Sequence, residues 1–247
     1  MKNISWKIWV GLLLISLTVV FHYVHYLIFK DAHHVLIYLL GDIAFLPLEV
    51  LLVTFVIERL LHDREKKSLL KKMNMLIGSF YSEVGTRLIK NCSGFVADLS
   101  EISSHMLISS KWSDKDFQKA IAFVKKSDLD INSGNGDLEA LRNFLQSKRP
   151  FLLSLLANPN LIEHDAFTDL LWAVFHLDEE LSFRNDLNKL PSTDYQHLSG
   201  DVNRIYTQLL SEWLAYMNHL KKDYPYLFSL AMRTNPLDAN ADPVVKG

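Results

Sequence analysis

Two long apolar runs open the chain and give way to a helical alternation of apolar and polar positions. Residues 8–29 contain no Asp, Glu, Lys or Arg, and the run is long enough for the roughly 20 residues that a helix needs to cross a bilayer core. Bulky aromatics continue to Lys30 without a small-residue cleavage site, so the pattern predicts a retained span rather than a secretory leader. After Lys30-Asp31-Ala32-His33-His34, a second run over 35–57 is interrupted by Gly41, Asp42, Pro47 and Glu49 and is still long enough to span. A linker of five polar residues predicts a tight reversal. Residues 1–62 therefore read as a transmembrane helical hairpin with both ends on one side.

The spacing then changes. A polar collar, His62-Asp63-Arg64-Glu65-Lys66-Lys67-Ser68, is followed by Leu69, Met73, Leu76, Phe80, Val84 and Leu88 at steps of three and four, which is the signature of an amphipathic helix. No proline or glycine separates the collar from the second span, so one helix is expected to run to about Lys90. At 1.5 Å per residue that is a stalk of roughly 80 Å, with 63–93 as its juxtamembrane part. Gly78, Ser82 and Gly85 form a stripe of small residues on it.

From Ser93 on, helices are predicted near 95–108, 114–127, 137–147, 162–184 and 198–220, with a short apolar piece at 150–157. The boundaries are the Ser113-Asp114 start, the Asn132-Ser133-Gly134-Asn135-Gly136 loop and the Asn158-Pro159 break. One more turn past Tyr224-Pro225-Tyr226 is expected to end at Met232. No strand-period stretch competes. The predicted fold class is all-α: the hairpin, the stalk helix, a cytoplasmic helical domain over 94–234 and a flexible tail over 235–247.

Composition narrows the function. With 49% hydrophobic and 22% charged residues among 247, the chain is not a disordered one, and a net charge of -2 gives no footprint for nucleic acid. A single cysteine, Cys92, excludes an intramolecular disulfide framework and a thiolate zinc cluster within one chain. Cations gather at the two outer ends of the hairpin: Lys2 and Lys7 before the first run, and Arg59, Arg64, Lys66, Lys67, Lys71 and Lys72 after the second, against Lys30 alone in the turn. By the positive-inside rule the termini and the helical domain are expected in the cytoplasm. The same six cations after the second run are candidate contacts for anionic lipid head groups.

Ionisable residues within the apolar runs are costly to bury and normally face protein or water. Asp42 and Glu49 lie seven residues apart, on one helix face two turns apart, with Tyr38 on the same stripe. Thr18, His22 and either His25 or Tyr26 form a comparable stripe on the first run. A reversal centred near Ala32 sets His22 opposite Asp42 and leaves Glu49 opposite the apolar Ile15. Pro47 adds polarity by freeing the carbonyl of Ile43. Three readings of the stripe are open: polar adhesion between helices or subunits, a proton or cation pathway along His22, Asp42 and Glu49, and haem or metal ligation by His22 and His25, with His33 and His34 nearby.

No P-loop, nucleophile elbow or His-Glu-x-x-His motif is present. The densest polar constellation lies on the helix expected from Glu163, where Asp169 and His176 share a face and Glu179 and Glu180 follow. It reads as a solvated acidic face with a hydrogen-bonded histidine, although metal or acid–base chemistry is open to it. Trp213, Tyr216, Tyr224, Tyr226 and Phe228 read as core aromatics, and Cys92 as a small buried residue without chemistry. No catalytic residue is assigned and no cofactor is expected.

Three segments carry a resemblance: Tyr38-Leu-Leu-Gly-Asp-Ile-Ala-Phe-Leu-Pro-Leu-Glu49, Phe167-Thr-Asp-Leu-Leu-Trp-Ala-Val-Phe-His176 and Tyr224-Pro-Tyr-Leu-Phe-Ser-Leu-Ala-Met-Arg-Thr-Asn-Pro236. With them most of the chain resembles an uncharacterised set of prokaryotic two-span membrane proteins with a cytoplasmic helical domain. The resemblance implies a prokaryotic plasma membrane and no particular activity. The expectation is a non-enzymatic membrane protein that forms homo-oligomers through its hairpin and uses its helical domain for assembly or a cytoplasmic partner. An ion- or proton-conducting oligomer lined by Asp42 and Glu49 is the alternative, and a haem or metal protein using His22 and His25 the third.

Overall fold

The computed structural model describes residues 6–161 and 164–245, and the chain is all-α. Helices run in the order α1 (Trp6–Phe29), α2 (Ala32–Phe80), a π-helical turn (Tyr81–Gly85), α3 (Thr86–Ser93), α4 (Ser100–Met106), α5 (Asp114–Lys126), α6 (Leu138–Leu156), α7 (Asp165–Ser182), α8 (Ser192–Asp223) and α9 (Pro225–Arg233). Among the described residues the only extended pairing is an isolated bridge between Val96 and Ile131. The chain divides into two compact units at Lys66 and Lys67.

In the first unit, α1 and the start of α2 are joined by Lys30 and Asp31 alone. Lys30 takes a left-handed backbone with φ of 51° and its N–H still donates to the Tyr26 carbonyl at 2.7 Å. Asp31 caps α2, its Oδ1 accepting from the His33 N–H at 2.9 Å. The expected five-residue linker is thus mostly helix: Ala32, His33 and His34 belong to α2. Within α2, Pro47 sits without ending the helix.

The second unit is built around α8, whose Leu198, Val202, Ile205, Leu209, Leu214 and Met217 are buried at steps of three to five, each contributing about 1.5–3 kcal/mol through burial. The expected amphipathic face is here part of that core. Met73, Phe80, Val84 and Leu88 are buried, so the helix read as a stalk is a core element from Met73 onward. Its small residues serve close packing: a Cβ on Gly78 would stand 3.0 Å from the Tyr216 hydroxyl, and one on Gly85 would stand 2.5 Å from the Tyr81 ring. Gly85 closes the π-helical turn, where Thr86 Oγ1 donates to the Tyr81 carbonyl at 2.8 Å.

Two other expectations change. The pieces at 137–147 and 150–157 are one helix, α6, which continues through Pro150. Leu141, Leu145, Leu152 and Leu155 lie on one buried face, and Lys148 and Arg149 are tied by ion pairs to Glu83 and Asp178, which hold the helix across the missing proline N–H. The tail begins later than expected, because Asn235 and Leu237 are buried. The predicted start at Ser113 is capped, its N–H donating to Asp116 Oδ2 at 2.7 Å, and Asp137 caps α6 by accepting from the Ala140 N–H at 2.8 Å.

Candidate functional site: an apolar hairpin and a groove in the helical unit

No residue of α1 is buried. Trp9 is 63% exposed, Leu13 66%, Leu40 71% and Phe55 64%, so the hairpin's side chains face outward rather than into a core of their own. Polar groups near the reversal do meet. His25 Nε2 lies 3.2 Å from His34 Nδ1, the Phe29 and His34 rings stack with centroids 5.0 Å apart, and Tyr38 closes the group with its ring 4.8 Å from that of His34.

The expected pair of His22 and Asp42 is not formed. The His22 Nδ1–H donates to the Thr18 carbonyl at 3.0 Å, and Thr18 Oγ1 donates to the Leu14 carbonyl at 3.0 Å. The reason is the register. A two-residue reversal centred between Lys30 and Asp31, instead of one near Ala32, moves every facing pair toward lower numbers in α2 and gives His25 the neighbour that was expected for residues farther along. Asp42 and Glu49 are both exposed, and neither makes a hydrogen bond or ion pair among the described residues.

Of the cations named for lipid contact, Arg59, Arg64 and Lys66 in the first unit and Lys71 and Lys72 in the second are exposed. The side chain of Lys67 and the whole of Lys2 and Glu163 lie outside the described residues.

The second unit carries an open groove of about 820 Å³, whose lining includes Asn74, Met75, Gly78, Phe151, Tyr216, His219, Tyr224 and Leu227. His219 Nδ1 stands 2.8 Å from Asp223 Oδ2 and 3.2 Å from the Asn74 side-chain nitrogen. Tyr216 stacks on Tyr81 with ring centroids 5.3 Å apart. Burial raises the pKa of Tyr216 and raises that of Tyr81 strongly, with the neighbouring Glu212 adding to it. Tyr81 donates to the Leu209 carbonyl at 2.9 Å. Tyr81 is thus a neutral structural donor, and Tyr216 a ring stacked against it. The aromatics expected to be core are divided: Trp213 and Phe228 are buried, Tyr216 and Tyr224 line the groove, and Tyr226 is 71% exposed. Cys92 is buried as expected, and burial pushes its thiol up to about 12.

On α7, Asp169 is exposed, and His176 turns toward Glu180 and toward Asp201 on α8. Asp178, two residues before Glu180, is buried in an ion pair with Arg149. His197 and Asp201 escaped the reading of the sequence. Their signal is the spacing His197-x-x-x-Asp201, which repeats that of His176-x-x-x-Glu180, but a spacing on one helix does not reveal which helix it will face.

A hairpin without a core of its own and a separate helical unit define an all-α protein of two helical parts. The chain belongs to the family described as uncharacterized protein MJ1433: residues 2–61 match its N-terminal helical domain and residues 69–233 its C-terminal helical domain. It is 42% identical over 238 residues to uncharacterized protein MJ1433 of Methanocaldococcus jannaschii, covering 96% of each chain. No solved structure matches the chain.

Proposed function

We propose that this is a non-enzymatic integral membrane protein of the prokaryotic plasma membrane, with two spans and both termini in the cytoplasm, which self-associates through its hairpin and uses the helical unit for assembly or for a partner. The observation that carries the reading is the exposure of the hairpin. Both candidate spans have 0% of their most apolar window buried inside the chain, whereas the core helix of a soluble protein hides that window. Leaving bulky apolar side chains in water costs about 1.5–3 kcal/mol each, and lipid removes the cost for all of them together. Self-association is supported by Asp42 and Glu49, which find no partner in their own hairpin although carboxyl groups facing lipid are unfavourable. The groove lined by Phe151, Tyr216 and Leu227 supports partner docking on the helical unit.

The test has two arms. The full chain should remain with the membrane fraction after alkaline carbonate washing and be released by detergent; release by carbonate would overturn the membrane reading. In lipid nanodiscs or mild detergent it should form an oligomer that Glu49→Gln preserves and Glu49→Leu weakens, since glutamine keeps hydrogen bonding and leucine does not. A monomer, or an oligomer unchanged by Glu49→Leu, would overturn self-association through this face.

A conducting oligomer is favoured by the same unpartnered carboxylates, which as a ring would line a cation path. Under that reading Glu49→Gln lowers cation flux into liposomes without altering assembly. Haem or metal ligation by His22 and His25 finds no support: one imidazole donates to Thr18 and the other meets His34.

A further inference from the structure

Helices α7 and α8 bring four ligand-type side chains to one patch of the helical unit. His176 and Glu180 are one turn apart on α7, and His197 and Asp201 one turn apart on α8. Glu180 faces His197 and His176 faces Asp201, the crossed order of antiparallel helices. Asp201 Oδ2 lies 3.4 Å from His197 Nε2 and 3.6 Å from His176 Nε2. Glu180 Oε1 lies 3.8 Å from His176 Nε2 and its Oε2 3.7 Å from His197 Nε2.

We propose that these four residues bind one divalent transition-metal ion of the zinc class, through the two imidazole Nε2 atoms and one oxygen each of Asp201 and Glu180. The carrying observation is Asp201. The residue is 3% exposed, and its Oδ2 has no hydrogen-bond partner while pointing at both imidazoles. An unpaired buried carboxylate oxygen is expensive, and a cation held jointly with the imidazoles compensates it. With metal–ligand bonds of about 2.0–2.2 Å, the edges of a coordination tetrahedron are roughly 3.3–3.6 Å. The two gaps to Asp201 Oδ2 match that range, those to Glu180 are wider and reach its two different oxygens, and one ligand atom each of His176, Glu180 and His197 lies within 4.8 Å of the others. Direct ion pairing of protonated imidazoles is the competing account, but gaps of 3.4 to 3.8 Å exceed ordinary hydrogen-bond lengths.

The surroundings orient the carboxylates. Arg184 holds Glu180 Oε2 at 2.6 Å, leaving Oε1 toward His176, and Arg204 stands 3.2 Å from Asp201 Oδ1, leaving Oδ2 toward the imidazoles. Such outer partners fix ligands in place. Three carboxylates (Glu180, Asp194, Asp201) face two guanidiniums, so the patch keeps a negative balance. The side chains of His176 and His197 are 46% and 52% exposed, which gives an ion a way in from solvent and leaves room for a coordinated water. Two nitrogens with two oxygens suit zinc, cobalt(II) or iron(II) rather than calcium, which takes six or more oxygens. The site lies wholly in the helical unit and does not depend on the membrane reading.

The experiment uses the full chain in detergent, without an oligohistidine tag, stripped with a chelator. Cobalt(II) is titrated against its visible d–d absorption and zinc by calorimetry. One ion per chain is expected, with the melting temperature raised. In the His176→Gln/His197→Gln variant affinity should fall roughly 100-fold or more and the thermal shift should vanish. Should that variant melt early in chelator, His197→Gln alone is used and at least a tenfold loss is expected. Two results overturn the site: no binding by the wild type at about 100 µM metal, or binding that the histidine variants leave unchanged, which would place the ion on His25 and His34 or on His219 and Asp223.

Discussion

The side-chain amide of Asn235 donates to the carbonyl of Met106 at 2.7 Å, while its Oδ1 accepts from the Leu237 N–H at 3.0 Å. This one side chain fastens the segment after α9 to the end of α4. With Asn235 2% exposed, Asn235→Ala removes two buried hydrogen bonds. A loss of about 1–3 kcal/mol is expected, read from denaturant unfolding of the detergent-solubilised chain. A chain ending at Thr234 also loses buried Leu237 and should unfold earlier still.

Asp178 has 1% of its side chain exposed and pairs with Arg149, and its Oδ1 has no partner. Arg149 also lies over the Phe175 ring, 5.4 Å from its centroid. Arg149→Met therefore leaves a buried carboxylate without its counter-ion and should cost on the order of 3 kcal/mol. The double variant Arg149→Met/Asp178→Leu should recover part of that stability. Equal or greater loss in the double variant would show that the charge is not what the arginine serves.

The hairpin register gives a contrast between two double-mutant cycles. His25→Ala and His34→Ala remove partners 3.2 Å apart and should couple by about 0.5 kcal/mol or more, whereas His22→Leu and Asp42→Leu should add. Thermal unfolding in lipid nanodiscs measures both. Coupling only in the second cycle would restore a reversal centred near Ala32.

Two sets of carboxyls act oppositely on stability with pH. Arg184 holds Glu180 and Asp194 below their ordinary values of 4.5 and 3.8, so their stabilisation is present above those values and is lost as the pH falls through the depressed ones. Glu212 runs the other way. Burial raises it above 4.5, against the opposing charges of His164 and Lys125. Its folded form holds the proton more tightly, so its contribution is complete below 4.5 and is lost as the pH rises through the raised value. Glu212→Gln should accordingly match the wild type near pH 4 and exceed it in melting temperature by pH 7, while both lose stability on acidification below about 4.

Much of this was written in local pattern. The two apolar runs, the three-and-four spacing from Met73 to Leu88, the Ser113 cap and the start of α9 depend on residues within a few positions of one another, and they appear where the sequence put them. The misreadings have a common source. The pieces at 137–147 and 150–157 read as separate, but burial of Leu152 and Leu155 and the tie of Arg149 to Asp178 outweigh the one N–H missing at Pro150. The polar residues of the tail read as flexible, but Asn235 has an acceptor in Met106, which stands 129 residues away.

The candidate metal patch divides the same way. Sequence alone determines that His176 and Glu180 share one helix face and that His197 and Asp201 share another, because the helical repeat returns every fourth residue to nearly the same side. Only the tertiary structure decides that these two faces meet, since that depends on how the buried leucines of α7 and α8 interlock across a reversal of direction. It is this packing that leaves Asp201 buried with one oxygen unpaired beside two imidazoles, a relationship of distance and burial that no local spacing contains.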